Sequence, residues 1–156
     1  MYNLAIITLS DRAAQGVYED KSGKYLYKML KEEYNIVMYE IIPDDKFLFE
    51  ELLVEAKDKA DLVITTGGTG LSSKDITVDI IENIMDYEVR GMSIALHQYS
   101  LEKSKGAMFS RALCVVSDNV LIITMPGSEK AVKELCSLFK PHIKHGLDHL
   151  NNIEVH

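Results

Sequence analysis

Residues Leu4–Leu9 (LAIITL) form a nearly unbroken apolar run, closed by the polar Ser10-Asp11-Arg12. A strand with one wet face would alternate apolar and polar side chains. A continuous run instead suits a strand buried on both faces, as in a parallel sheet. Two further runs read as strands: Ile36–Ile42, stopped by Pro43, and Leu62–Thr66, preceded by Asp61 and ended by Gly67-Gly68-Thr69-Gly70. Between them the apolar residues recur at helical spacing. Leu26, Met29 and Leu30 mark a helix from Gly23 to about Tyr34. Asp44 opens a second, with Leu48, Phe49, Leu52, Leu53 and Ala56 on one stripe, and Ile76, Ile80, Ile81 and Ile84 mark a third. Strand–helix alternation three times over predicts an α/β fold whose parallel or mostly parallel sheet is covered on both faces. Ligands of such sheets bind beyond the carboxyl ends of the strands.

The second half is less regular. Helical spacing runs through Met92–Leu101, and Leu113–Val116 and Val120–Thr124 are β-rich runs separated by Ser117-Asp118-Asn119. That pair predicts a hairpin, so the sheet is expected to be mixed. Pro126-Gly127-Ser128 breaks the last run; a helix follows through Ala131, Leu135 and Leu138, and Pro141 is expected to start a short terminal one. Residues 1–156 read as one domain without repeat, linker or low-complexity segment.

Seventeen Lys and Arg against 24 Asp and Glu leave a formal charge of −7, which speaks against a broad basic surface for nucleic acid or anionic lipid. It leaves room for a small anion held locally. The longest apolar runs fall far below the roughly 18–20 residues of a membrane span, and no basic-led apolar leader is visible. Cys114 and Cys136 stand in no metal-like spacing and read as reduced core thiols, so a cytoplasmic setting is expected. His142, His145 and His149 share one helix face, but no carboxylate or cysteine pattern completes a metal site there, and they read as solvated.

The strongest chemical signal is Thr65-Thr66-Gly67-Gly68-Thr69-Gly70, after a strand and before a helix. Three glycines in four positions permit positive φ and close approach of a ligand, and successive N–H groups can cradle an anion. The same residues would also serve a tight turn. Asp44 and Asp75 stand at matching places after the second and third strands and could share a Mg²⁺ ion, which takes its remaining ligands from phosphates and water. Either could equally cap a helix, and Asp45 competes with Asp44. Arg12, Lys74 and Arg111 are candidate cations in loops, and Pro126-Gly127-Ser128 is a fourth loop at a strand end.

Taken together and in order, Ser10-Asp11-Arg12 with Gly16-Val17-Tyr18 and Asp20-Lys21, Ile42-Pro43-Asp44, the glycine run through Lys74-Asp75-Ile76-Thr77 and Asp79, Phe109-Ser110-Arg111-Ala112, and Met125-Pro126-Gly127-Ser128 resemble the MogA/MoaB family of molybdenum-cofactor biosynthesis proteins. The resemblance spans nearly the whole chain. It implies a three-layer α/β/α sandwich with a mostly parallel, mixed sheet, assembled as a homotrimer or in some members a hexamer. It implies adenylyl transfer from Mg-ATP to the terminal phosphate of molybdopterin, with the product passed to a separate molybdenum-insertion protein. The essential aspartates of the family fall on Asp44 and Asp75, as catalytic and metal residues. Its substrate-binding positions fall on Ser10, Asp11, Arg12, Thr66, Gly67, Gly68, Thr69, Gly70, Lys74, Asp79, Ser110, Arg111, Pro126, Gly127 and Ser128.

Three departures stand out. Val78 replaces a proline common in the family, Val89-Arg90-Gly91 replaces a usual Pro-Gly and implies a different loop, and Glu129 adds a charge beside the Pro-Gly-Ser loop. The competing expectations are a pterin- or nucleotide-binding relative without transferase activity, a nucleotide phosphohydrolase, and an oligomeric scaffold.

Overall fold

A computed structural model describes residues 1–154. The apolar run becomes β1 (Asn3–Leu9), fully buried apart from its first residue. Ser10 then caps a single turn, α1 (Asp11–Ala14), by accepting from the Ala13 N–H at 3.1 Å, and Asp20 caps α2 (Lys21–Leu30) by accepting from the Gly23 N–H at 3.0 Å. Next come β2 (Asn35–Ile42), α3 (Lys46–Lys59), β3 (Leu62–Thr66), α4 (Thr77–Ile84), the two-residue edge strand β4 (Tyr87–Glu88) and α5 (Arg90–Lys103). A 3-10 turn (Lys105–Phe109) leads to β5 (Cys114–Ser117), β6 (Val120–Met125) and α6 (Glu129–Leu150).

The strands form one sheet in the order β2-β1-β3-β6-β5-β4. β2, β1, β3 and β6 run parallel, β5 runs antiparallel to β6, and β4 in turn antiparallel to β5, so the sheet is mixed as the hairpin implied. Strand alternation divides the core in two. Leu4, Ile6, Leu62, Ile64, Leu121 and Ile123 face Leu26, Leu96, Val132, Leu135 and Phe139 of α2, α5 and α6. Ala5, Ile7, Val63 and Ile122 face Phe49, Leu53, Val78 and Ile81 of α3 and α4. The result is the expected three-layer α/β/α arrangement. The chain leaving β1 climbs over one face and the chain leaving β3 over the other, so a crevice opens between their carboxyl ends. No helix among the described residues is long and apolar enough to cross a membrane.

Four local expectations change. Asp44 does not open α3: Asp45 is the cap, accepting from the Leu48 N–H at 3.0 Å, and Asp44 lies one residue outside the helix. The hairpin turn has two residues rather than three, because Ser117 pairs with Val120 while Asp118 and Asn119 take φ of 50° and 62°. Such twin positive values match a strand pair's twist. Val89-Arg90-Gly91 is no loop, since Arg90 already begins α5.

Nor does Pro141 start a new helix. It sits inside the 22-residue α6, whose apolar stripe continues across it from Cys136 and Phe139 to Ile143 and Leu147. Packing of that stripe outweighs the one backbone bond the proline cannot make. Pro141 is exposed, so Pro141→Ala should restore the bond without disturbing the core. It should raise stability by as much as about 3 kcal/mol, read from the urea midpoint. An unchanged or lowered midpoint would contradict this account of the helix.

Candidate active site

The strand register sets four loops at one height. Leu9 pairs with Ile42, Thr8 with Thr66, and Thr66 with Met125. Ser10–Arg12, Pro43-Asp44, Gly67–Gly70 and Pro126–Ser128 therefore emerge side by side at the carboxyl edge. They enclose a hollow of ≈ 450 Å³ lined by Ser10, Asp11, Arg12, Asp44, Gly67–Gly70, Lys74, Asp75 and Gly127.

The glycine loop has an unusual bonding pattern. Gly67 and Gly68 take φ of 88° and 71°. A Cβ on Gly67 would lie 2.2 Å from the Leu9 carbonyl oxygen, and one on Gly68 2.2 Å from the Thr77 hydroxyl, so neither position admits a side chain. Every carbonyl in the loop is bound from within the protein. The Thr77 hydroxyl donates to the Gly67 oxygen at 2.9 Å and the Thr77 N–H to that of Gly68 at 3.2 Å. The Arg111 N–H donates to the Thr69 oxygen at 2.7 Å and Arg111 Nε to that of Gly70 at 2.9 Å. The Gly67 N–H is used too, donating to the Met125 oxygen at 3.0 Å. Among the described residues, the N–H groups of Gly68, Thr69 and Gly70 donate to no protein acceptor. The cradle is thus three N–H groups, not the four that Gly67–Gly70 suggests from sequence.

Two carboxylates border the loop. Asp44 lies at the hollow, and its backbone N–H donates to Asp11 Oδ1 at 2.9 Å. Burial, then the charges of Asp11 and Asp75, raise the Asp44 carboxyl above the ordinary carboxylate range, while the Asp11 backbone N–H and Lys74 offset part of this. Asp75 does not cap α4, which begins two residues later at Thr77. Its Oδ2 instead accepts from the Ser72 N–H at 3.0 Å and would meet a Gly70 Cβ at 2.8 Å. Asp11 pairs with Lys74 at 3.7 Å, and the Arg12 guanidinium rests 5.7 Å from the centre of the Tyr18 ring. Among the described residues, no group of three or more His, Cys, Asp or Glu side chains is placed to hold a metal ion. A cation here would need substrate oxygens to complete its shell.

The structure does not bring all the expected residues to this hollow. Thr66 is buried, and its hydroxyl donates at 3.2 Å to that of Thr8, which donates at 2.8 Å to the buried Asp20, where Tyr39 also donates at 2.5 Å. Its role is internal. Burial and the bond to Asp20 push the Tyr39 phenol upward, which keeps it a donor. Arg111 and Asp79 bind each other at 3.0 Å outside the hollow. Ser110, Pro126 and Ser128 line a second hollow of ≈ 260 Å³ with Ser100, Ser104, Lys130 and Glu134. The two hollows meet at the Pro126-Gly127-Ser128 loop, where Gly127 lies close enough to Gly67 that a Cβ would stand 3.4 Å from the Gly67 Cα. The Ser22 hydroxyl fixes that loop by donating to the Gly127 oxygen at 2.8 Å. Glu129 turns away to Lys133 at 3.4 Å. Ser22 and the Thr77 latch were not singled out from sequence; Thr77, ten residues past Gly67, had the only local signal, a hydroxyl at the start of a helix.

Asp44 is held against repulsion, so Asp44→Asn should relieve strain in buffer free of divalent ions. Wild type and variant should unfold at the same urea midpoint near pH 3, about a unit below the ordinary carboxylate value. Because the folded pKa is raised, wild type should lose ground as pH climbs through that value to the higher one of Asp44, and the variant should lead at about pH 7. A wild type that is the more stable at neutral pH would overturn this.

Comparison with known proteins agrees with the geometry. A family model described as a probable molybdopterin binding domain matches residues 5–145. A molybdopterin adenylyltransferase of Helicobacter pylori is 33% identical over 151 residues, covering 94% of this chain and 86% of that protein. Gephyrin of Dictyostelium discoideum is 30% identical over 96% of this chain, which spans only 22% of that longer protein. The crystal structure of the tungsten cofactor synthesizing protein MoaB from Pyrococcus furiosus superposes with a TM-score of 0.90 at 34% identity, covering 99% of this chain and 98% of the other.

Proposed function

The chain belongs to the family of molybdopterin binding domains, and on that premise we propose that it is a molybdopterin adenylyltransferase acting on ATP and molybdopterin. One observation carries the reading: a glycine loop with every carbonyl bound and three N–H groups free, beside two carboxylates. That is a phosphate cradle adjoining a place for a cation.

In the reaction, an oxygen of the terminal phosphate of molybdopterin attacks the α-phosphorus of ATP. A new P–O bond forms, the bond from the α-phosphorus to the bridging oxygen breaks, and pyrophosphate leaves with the electron pair. Both reactants are polyanions, so the protein's work is positioning and neutralisation of charge. The N–H groups of Gly68, Thr69 and Gly70 hold phosphate oxygens in the first hollow. Lys74 and Arg12, at its mouth, meet the charge gathering on the leaving pyrophosphate. The second hollow, with Ser110, Pro126 and Ser128, receives the pterin substrate across the Gly127 wall. Asp44 and Asp75 are the residues that would hold Mg²⁺, which when bound neutralises phosphate oxygens; the crowded charges of Asp11, Asp44 and Asp75 fit a cation there.

The reading extends to assembly and setting. The outer side of α5 and the turn after it expose Ile94 (56%), Leu101, Met108 and Phe109, an apolar strip suited to burial between copies in a homotrimer or hexamer. The product then passes to a separate metal-insertion protein in the cytoplasm.

Incubation with molybdopterin, Mg²⁺ and ATP labelled at the α-phosphate should put label on the pterin. Asp75→Asn should slow this by about 10²-fold or more, since a lost metal carboxylate is worth several kcal/mol in the transition state. Transfer by Asp75→Asn at near the wild-type rate, or label appearing only as free AMP, would overturn the assignment. For assembly, light scattering should find wild type as an oligomer and Ile94→Glu as a single chain; a monomeric wild type would refute the strip as an interface.

A further inference from the structure

We propose that Arg111 serves the reaction as a positioning residue, clamping the glycine loop with Asp79 as its anchor, and that neither side chain meets a phosphate. The proposal rests on the reading of the loop as a phosphate cradle. From sequence, Arg111 is a cation free to face an anion. In the structure five of its six N–H donors are engaged, one on Nη1 being left over. Its backbone N–H holds the Thr69 oxygen at 2.7 Å, Nε holds the Gly70 oxygen at 2.9 Å, and Nη2 holds the Asp75 oxygen at 3.0 Å. Nη1 and Nη2 reach the two Asp79 oxygens at 3.0 and 3.4 Å. Five bonds thus converge on one residue, and three of them secure carbonyls between Thr69 and Asp75.

The need for a clamp follows from the glycines. A loop free enough to adopt positive φ is also free to rotate its peptide planes. A flipped plane would turn a carbonyl toward the phosphate and an N–H away, converting attraction into repulsion. Thr77 prevents this at Gly67 and Gly68, and Arg111 prevents it at Thr69 and Gly70. The guanidinium fork is rigid and planar, so it fixes the Gly70 and Asp75 carbonyls relative to each other. A lysine has a single ammonium on a flexible stem and cannot hold both together with Asp79. Asp79 aims the fork, and its side chain is 64% exposed, so it can be altered without opening the core.

The two possible roles of Arg111 predict opposite signs for Asp79→Asn. If Arg111 were a phosphate ligand, releasing it from Asp79 would leave ATP binding unchanged or tighten it. As a clamp it loses its anchor, and ATP should bind about tenfold more weakly by titration calorimetry, with Mg²⁺ and in EDTA alike. Arg111→Lys should show a similar loss, and the double variant should be no weaker than Arg111→Lys alone. Amide exchange by NMR gives a nucleotide-free measure: in Asp79→Asn the N–H groups of Arg111 and Thr77, bonded to loop carbonyls, should exchange at least about tenfold faster, while those of β1 stay protected. Unchanged or tighter ATP binding by Asp79→Asn, or unchanged exchange at Arg111 and Thr77, overturns the clamp. A wild type that binds no ATP instead removes the adenylyltransferase reading, and the exchange comparison still decides the clamp.

Discussion

The site depends on a directional constraint in four residues. A peptide chain carries equal numbers of donors and acceptors, and an anion is attracted to one set and repelled by the other. The glycine loop separates them: its carbonyls are bound by Thr77 and Arg111, and among the described residues three of its N–H groups donate to no protein acceptor. The binding surface is made from backbone, and the side chains that make it so stand behind it. A net charge of −7 is therefore compatible with the proposed phosphate site, because the groups that would meet the anion are backbone N–H groups.

The carboxylates complement that arrangement. Asp44 is fixed by its own N–H to Asp11, which also draws in Lys74, and Asp75 is fixed by Ser72. Each acid is held by a local bond and pushed toward the other by the strand register. Burial first, then the charges of Asp11 and Asp75, raises the Asp44 carboxyl, and a cation bound beside it would relieve that repulsion.

Much of this was legible in the sequence. Continuous apolar runs gave the buried strands β1 and β3, the run Ile36–Ile42 gave the half-exposed edge strand β2, and helical spacing between them gave the layers. Glycines directly after β3 marked a loop in which two of them do take positive φ. What was not legible had physical reasons. Asp44 and Asp45 are chemically identical neighbours, and only backbone angles decide which caps α3. Arg111 meets Gly70 across 41 residues, through a half of the chain with weak periodicity, so a local reading made it a loop cation open to an anion and not a partner of the glycine loop. Thr66 looked like part of the loop because sequence does not say which side of a strand a residue faces relative to Asp20. Pro141 followed a sound local rule that the buried stripe of α6 overrides.

The contact between Gly127 and Gly67 has a consequence for how the two hollows evolve and work together. The partition between them is two backbones thick, with no side chain in it and the nearest added carbon at 3.4 Å. It has already reached its minimum, so substitution there can only move the hollows apart. Two anions bound in the two hollows would be kept apart by main chain alone. Ser22 holds the partition by one hydroxyl, donating to the Gly127 oxygen at 2.8 Å.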